Sequence, residues 1–253
     1  MKMICAFLGL LCSPMLPASP LISNLPASIV SAQLQVKLQD EVAEMEGRFR
    51  FQAAAFSNTS KSTVPVDITL PMWLPSDLAA CDQATAALLR RCKRGTRNTL
   101  KDENFEALWK AATGLELSVG DQPLNITAVW IFDSESEEDL HRLPAAYFRK
   151  GYLSLIVKAH CPSEWLSKNP EVHVRYRQSL SKQGNRHEFH YLPDFRPMPE
   201  AQTGGDQKRY ALHLTNASGG VAVWGGMKIL SGRSAVLPLT HEKPVNILLT
   251  PGH

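Results

Sequence analysis

No apolar run in this 253-residue chain reaches the roughly 18 residues that a bilayer-crossing helix needs, so no membrane span is expected. A dominant sign of charge is missing too: 27 Lys and Arg stand against 24 Asp and Glu, and the net charge of +3 makes neither nucleic acid nor an anionic membrane the required partner. The chain has no internal repeat and no low-complexity tract. Catalytic signatures are also lacking. There is no Gly-x-Ser-x-Gly, no phosphate-binding Gly-x-x-x-x-Gly-Lys and no dinucleotide fingerprint between a strand and a helix, so no catalytic residue and no cofactor is assigned. Cysteine is scarce, with five residues in all.

What is present begins at the N-terminus. Lys2 precedes the apolar run ICAFLGLLC and a Pro/Ser/Ala-rich stretch, the pattern of a secretory signal peptide over residues 1–32. Val30-Ser31-Ala32 offers compact residues for cleavage, and an earlier cut near Ala18 is the alternative. A lipoprotein signal wants a small residue before its cysteine, whereas Leu11 precedes Cys12. The expected location is the periplasm or the cell exterior.

Period-two alternation follows. In AQLQVKL, Leu34, Val36 and Leu38 share one side and Gln33, Gln35 and Lys37 the other, which predicts a half-buried strand. RFRFQAAAF repeats the pattern through Phe49, Phe51, Ala53 and Ala55, and VDITL follows. The pattern then turns helical over about 76–113. Leu78, Cys81, Thr85, Leu88, Leu89 and Cys92 recur at three- and four-residue steps behind Ser76 or Asp77 as a cap. A second helix is predicted from Thr99, with capping-box spacing to Asp102, burying Phe105, Leu108, Trp109 and Ala112 and ending at Gly114. LNITAVWIF and YLSLIVKAH read as strands. So do VHVRYRQSL, RHEFHYL, RYALHLT, VAVW, MKIL, SAVLPL and VNILL, which are separated by Gly-containing turns. PDFRPMPEAQTGGDQK (193–208) reads as a long loop. The expectation is a mainly β chain of immunoglobulin-like β-sandwich architecture with an α-helical insert, divided into domains at 33–165 and 166–253.

Cys81 and Cys92, on one helix, would share a face but lie roughly 16 Å apart, beyond the reach of a disulfide. Either they are small buried side chains or, in an oxidising compartment, Cys161 pairs with Cys81 or Cys92. His187 and His190 are three apart in an alternating segment, which puts them on opposite faces of a strand and not together on a metal. DSESEED is rich in carboxylates, yet Glu138 and Pro144 stand where a calcium loop wants glycine and an acid, so no metal site is assigned. Ser136 and Asp139 have capping-box spacing instead. Arg90, Arg91, Lys93, Arg94 and Arg97, with Lys101, form a basic cluster at a helix end. The cluster could meet an anionic partner, but no aromatic side chains interleave with it as a nucleic-acid surface would need. Asn58, Asn125 and Asn216 each open a glycosylation sequon. The glycine pairs at 219–220 and 225–226 read as hairpin turns.

Three segments resemble, in order, parts of the two-domain immunoglobulin-like periplasmic chaperones that assemble pili. GYLSLIVKAHCPS is similar to the strand before the subunit-capping strand, VHVRYRQ to the end of that capping strand, and LHLTNASGGVAV with SGRSAVLPL to the second domain. The chain departs from that family at EWLSKNPE, which breaks the alternation, and at His173, which stands where the family carries a carboxylate-anchoring lysine. No counterpart of the family's N-terminal anchoring arginine is present. The resemblance implies a fold, and together with the lack of a catalytic constellation it leads to an expected function. That function is non-catalytic binding or assembly of another envelope or secreted protein through exposed strand edges. The rival expectation is a secreted hydrolase or carbohydrate-active enzyme whose acids, Asp133 and Glu188, meet only in three dimensions.

Overall fold

The computed structural model describes residues 21–22, 29–52, 66–92, 97–98, 103–133, 136, 151–191, 210–239 and 245–250. Over these residues the chain is mainly β and its strands form three sheets. The largest sheet runs, in spatial order, β16 (Ser234–Pro238), β13 (Tyr210–Asn216), β2 (Ile29–Leu38), β3 (Val42–Phe51), β10 (Glu171–Ser179), β6 (Glu116–Val119) and β7 (Gln122–Pro123). All its pairings are antiparallel except that of β2 with β13. It draws strands from both sides of residue 165. A second, wholly antiparallel sheet is β1 (Leu21–Ile22), β4 (Val66–Pro75), β9 (Tyr152–Cys161), β8 (Ile126–Asp133) and β5 (Arg97–Asn98). The third is β11 (Ser181–Gln183), β12 (Arg186–Tyr191), β17 (Val245–Thr250), β14 (Val221–Trp224) and β15 (Met227–Ile229).

Alternation explains how these sheets stack. Residues opposite one another on paired strands share a face. One row across the large sheet is therefore Leu237, Leu212, Leu34, Gly47, Val174 and Leu117, in which every residue is buried. The neighbouring row is Val236, His213, Gln35, Glu46, Arg175 and Glu116, in which every residue is exposed. The sheet is thus apolar on one face and solvated on the other. The apolar face joins Ile68, Leu70, Ile131 and Leu155 of the second sheet and Phe189, Ile247 and Leu249 of the third in one contiguous core. This is sandwich packing.

Gly47 is the one gap in the apolar row, and its neighbours explain it. A Cβ there would lie 2.5 Å from the Phe49 ring and 3.1 Å from Leu34 Cδ2. The ring of Phe49, which is 2% exposed, therefore fills the place of a side chain on residue 47.

The helical insert is built as two helices, but its first part departs from the expected single helix over 78–92. A 3-10 turn, Leu78–Ala80, ends at Cys81, and a new helix, α1 (Gln83–Arg91), starts behind Asp82. Asp82 breaks the run because its carboxylate accepts from Ala84 N (3.0 Å) and Thr85 N (3.3 Å) while its own backbone is extended. Ser179 Oγ accepts from Asp82 N at 3.1 Å, and the Arg177 guanidinium lies 3.5 Å from Asp82 Oδ1. Arg177 also donates to Ala111 O (3.2 Å) in α2 (Glu103–Thr113), so β10 clasps both helices. α2 ends as predicted at Gly114, which adopts a φ of 53° and donates from its N–H to Lys110 O. Residues 99–102, where its capping box was expected, lie outside the described residues, as do Ala53 and Ala55 beyond the end of β3 at Phe51. The EWLSK part of EWLSKNPE belongs to a short helix, α3 (Ser163–Lys168), between β9 and β10, and its Glu171 opens β10.

Gly47→Val should destabilise the protein by about 1–3 kcal/mol, because the added methyls collide with packed side chains. Urea unfolding checks this as a lower midpoint at unchanged slope.

Candidate functional site

An open sheet edge exposes unpaired N–H and C=O groups, and proteins ordinarily blunt such edges with short strands, lysine or proline. Among the described residues three sheets give six edges, and five of them are blunted. β1, β5 and β7 are two residues long, and β7 contains Pro123. β11 and β12 are joined by Gly184-Asn185, and β14 and β15 by Gly225-Gly226 with φ of 53° and 87°, as two-residue hairpins of the mirror-image type require. In such hairpins the middle residue of each three-residue edge strand turns its backbone outward, and that residue is Lys182 in one and Lys228 in the other.

β16 is the exception. It is five residues long, carries no charge and reads Ser-Ala-Val-Leu-Pro. Leu239 N–H donates to Tyr210 O (3.1 Å) and Asn216 N–H to Arg233 O (2.9 Å), so odd-numbered residues of this strand face β13. Ser234, Val236 and Pro238 therefore turn their backbone groups to the free edge. Pro238 has no N–H to offer, which limits the donors to Ser234 and Val236. The large apolar side chains that are exposed among the described residues are Met227 (40%), Leu230 (57%) and Val236 (63%). All three fall on β15, β16 or the link between them.

That link is held from inside. Asn216 is fully buried, and its amide donates to Ile229 O (2.8 Å) and Gly220 O (3.0 Å) while its Oδ1 accepts from Ser218 Oγ (2.6 Å) and Ser218 N (3.2 Å). Its backbone carbonyl accepts from Gly232 N–H (2.7 Å), and Ser231 Oγ donates to Ser218 O. One side chain thus joins the large sheet to the third and fixes the turn that feeds β16. Two expectations change as a result. The sequon at Asn216 is core structure and not a surface acceptor, and Gly219-Gly220 crosses between sheets where a hairpin was expected. Asn125 is exposed, and Asn58 lies outside the described residues.

Arg90 and Arg91 of the basic cluster are exposed in the last turn of α1, where they complement the helix dipole. Arg97 sits on β5 opposite Trp130, and Lys93, Arg94 and Lys101 lie outside the described residues. Cys81, Cys92 and Cys161 are free thiols. Burial pushes each up to about 12, and at Cys81 the carboxylates of Asp82 and Asp77 add to the effect.

His187 and His190 share a strand, as expected. His190 is buried against Tyr152, ring centroids 5.0 Å apart at 87°, with Nδ1 at 2.7 Å from Asn246 Oδ1 and Nε2 at 2.9 Å from Glu188 Oε2. Both ring nitrogens are taken, so the imidazole works as a bridge between the second and third sheets. Asp133 pairs with Leu153 on the core face of the second sheet, whereas Tyr152, which stacks on His190, lies on the other face. Of the DSESEED segment, Ser136 is described beyond Asp133 and donates from its N–H to Asp133 O, and Asp139 lies outside the described residues. Groups of three or more metal-ligating side chains are absent among the described residues. No helix among these residues is long and apolar enough to cross a membrane.

A depression of about 270 Å³ lies on the solvated face of the large sheet, lined by Gln35, Lys37, Glu44, Glu46, Arg175 and His213 among others. Its charges answer one another, as in Lys37–Glu44 at 3.6 Å, which is ordinary for an exposed sheet face. His173 lies on the same face, 2.6 Å from Glu171 Oε1. β10, whose sequence resembles a capping strand, is interior, with β3 on one side and β6 on the other over Val172–Arg175. No protein-family model matches the chain, and no curated protein matches it. The edge at β16 therefore stands on its own geometry as the candidate site.

The sequence pattern flagged SAVLPL as a strand but gave no sign that it is an edge, because edges are decided by pairing partners distant in sequence.

Asn216→Ala should cost on the order of 3 kcal/mol, since two buried carbonyls lose their donors; thermal or urea unfolding measures it. Native protein at pH 8 should leave Cys81, Cys92 and Cys161 unalkylated, because a thiol raised to about 12 is thiolate only about once in ten thousand molecules there. Unfolding should expose all three to iodoacetamide, as read by intact mass.

Proposed function

We propose that this is an exported, non-catalytic binding protein that holds an extended segment of another envelope or extracellular protein against the free edge of β16. The observation that carries the reading is the contrast among the six edges of the described residues: five are two residues long or carry an outward lysine, whereas β16 is five residues long and uncharged, leaves the Ser234 and Val236 amides outward before Pro238 ends it, and exposes Val236 beside Met227 and Leu230. An added strand gains main-chain hydrogen bonds along the edge and apolar contact at Val236. The N-terminal signal pattern supports export to the periplasm or cell exterior. The resemblance to pilus-assembly chaperones supports an immunoglobulin-like architecture and a role in holding another polypeptide. The exposed Arg90 and Arg91 suit an acidic stretch of the same partner.

A photo-crosslinking side chain at Val236 should capture a polypeptide in the native envelope or secreted fraction, and the same group at Gln35, on the solvated face, should not. Val236→Lys in the otherwise native protein should reduce capture of that partner by about tenfold or more, because a charge on the edge opposes strand addition. Equal labelling from Val236 and Gln35, or capture unaffected by the lysine, would overturn the reading.

A further inference from the structure

Pro238 gives the free edge of β16 a direction. It has no N–H and ends the strand, so the outward donors are Ser234 and Val236, at the end that leads back into the turn 230–233. A strand added there is anchored at these two residues and runs on over the turn, away from Pro238. The side chains around the turn therefore decide what kind of strand fits.

Those side chains are one-sided in charge. From Ala217 to Leu239 the chain contains Lys228 and Arg233 and not one Asp or Glu. Both cations are exposed, and neither forms an ion pair among the described residues. Elsewhere on the large sheet exposed cations are answered, as Lys37, Arg48 and Arg175 are by Glu44, Glu46 and Glu116 at 3.5 to 3.9 Å. The Asp40 carboxylate, which approaches this stretch, accepts from Gly219 N–H (3.0 Å) and pairs with neither cation. Interleaved with Lys228 and Arg233 are Met227, Leu230 and Val236, the large apolar side chains exposed among the described residues.

We propose that the segment held at β16 is acidic as well as apolar: it sets an apolar side chain over Val236 and one or two Asp or Glu residues beside Arg233, in the field that Lys228 reinforces. This deepens the proposed function and rests on it, since it names the chemistry of the partner at the same edge.

The pattern follows from the pairing. In antiparallel addition the residue opposite Val236 exchanges two main-chain bonds with it, and the residue opposite Ser234, two positions later, does the same. An apolar side chain at the first of these covers Val236, while Ser234 asks for nothing apolar at the second. The residues that follow pass over the turn closed by Arg233 N–H on Leu230 O (3.0 Å). A carboxylate there meets cations that lack a protein partner, whereas a lysine or arginine would meet like charge. An anionic lipid surface would satisfy the same cations and leave the outward N–H groups of Ser234 and Val236 without a use, so the geometry favours a polypeptide.

Fluorescence anisotropy on the purified full-length protein tests this with a labelled peptide of alternating valine and threonine that ends in two aspartates. This peptide should bind, more weakly as salt is added, and the same peptide ending in two lysines should bind about tenfold more weakly. Arg233→Glu should reverse that order while keeping the native unfolding midpoint, because the side chain it replaces is exposed and the turn uses only its backbone. Equal affinity for the two peptides, a preference that Arg233→Glu leaves untouched, or no binding of the aspartate peptide would overturn the inference. So would phosphatidylglycerol vesicles that bind the native protein, and not Arg233→Glu, while neither peptide binds. Photo-crosslinking at Val236 separates these outcomes from the binding reading. A captured polypeptide without an acid preference sinks the acidic partner alone, and failure to capture any polypeptide sinks the binding reading itself.

Discussion

Register in the seven-stranded sheet is the constraint on which the rest of the molecule depends. Leu237, Leu212, Leu34, Val174 and Leu117 lie in one row only because β16, β13, β2, β3, β10 and β6 are paired as they are. A slip of one residue at β2 would turn Leu34, Val36 and Leu38 to water and Gln35 and Lys37 inward. Burying an unpaired lysine costs several kcal/mol, enough by itself to remove much of a domain's stability. The same register leaves β16 as the outermost strand. The core and the candidate binding edge are therefore two consequences of one pairing pattern.

Polar groups set the details that apolar packing leaves open. Asn216 is buried with both donors and both acceptor positions used, which fixes how the chain passes from β13 to β14 and from β15 to β16. Asp82 and Arg177 act similarly at the helical insert, joining α1, α2 and β10 through a cap and a clasp. At the far side, His190 joins the second and third sheets through Glu188, Asn246 and Tyr152. Each of these residues reads as a loop, turn or surface side chain in sequence. Polar residues of this kind become structural only when distant backbone groups arrive beside them.

Elements that rest on local pattern were legible in the sequence. The strands around Leu34 and Val174 follow from period-two burial, those around Ile131 and Leu155 from continuous apolar runs, and α2 with its stop at Gly114 from helical spacing and glycine's access to positive φ. Two features were not. The helical stripe through Leu78, Cys81 and Leu88 concealed the break at Cys81, because Asp82 can occupy a helix interior or cap a new one, and Ser179 on β10 favours the cap. The parallel pairing of β2 with β13 joins residues some 180 positions apart, as in Tyr210 OH donating to Ile29 O at 2.9 Å. Edge status of β16 depends on that pairing, so the candidate site was hidden for the same reason.

The functional account reduces to whether the outward amides of β16 acquire a partner. Residue-resolved hydrogen exchange tests this directly, comparing the isolated single chain with the protein in its native assembly. In the single chain, Ala235 and Leu237 amides should be protected by β13 while Ser234 and Val236 exchange at nearly open-chain rates. In the assembly, Ser234 and Val236 should slow together to the level of their neighbours. Unchanged, fast exchange of Val236 in the assembly would contradict the account.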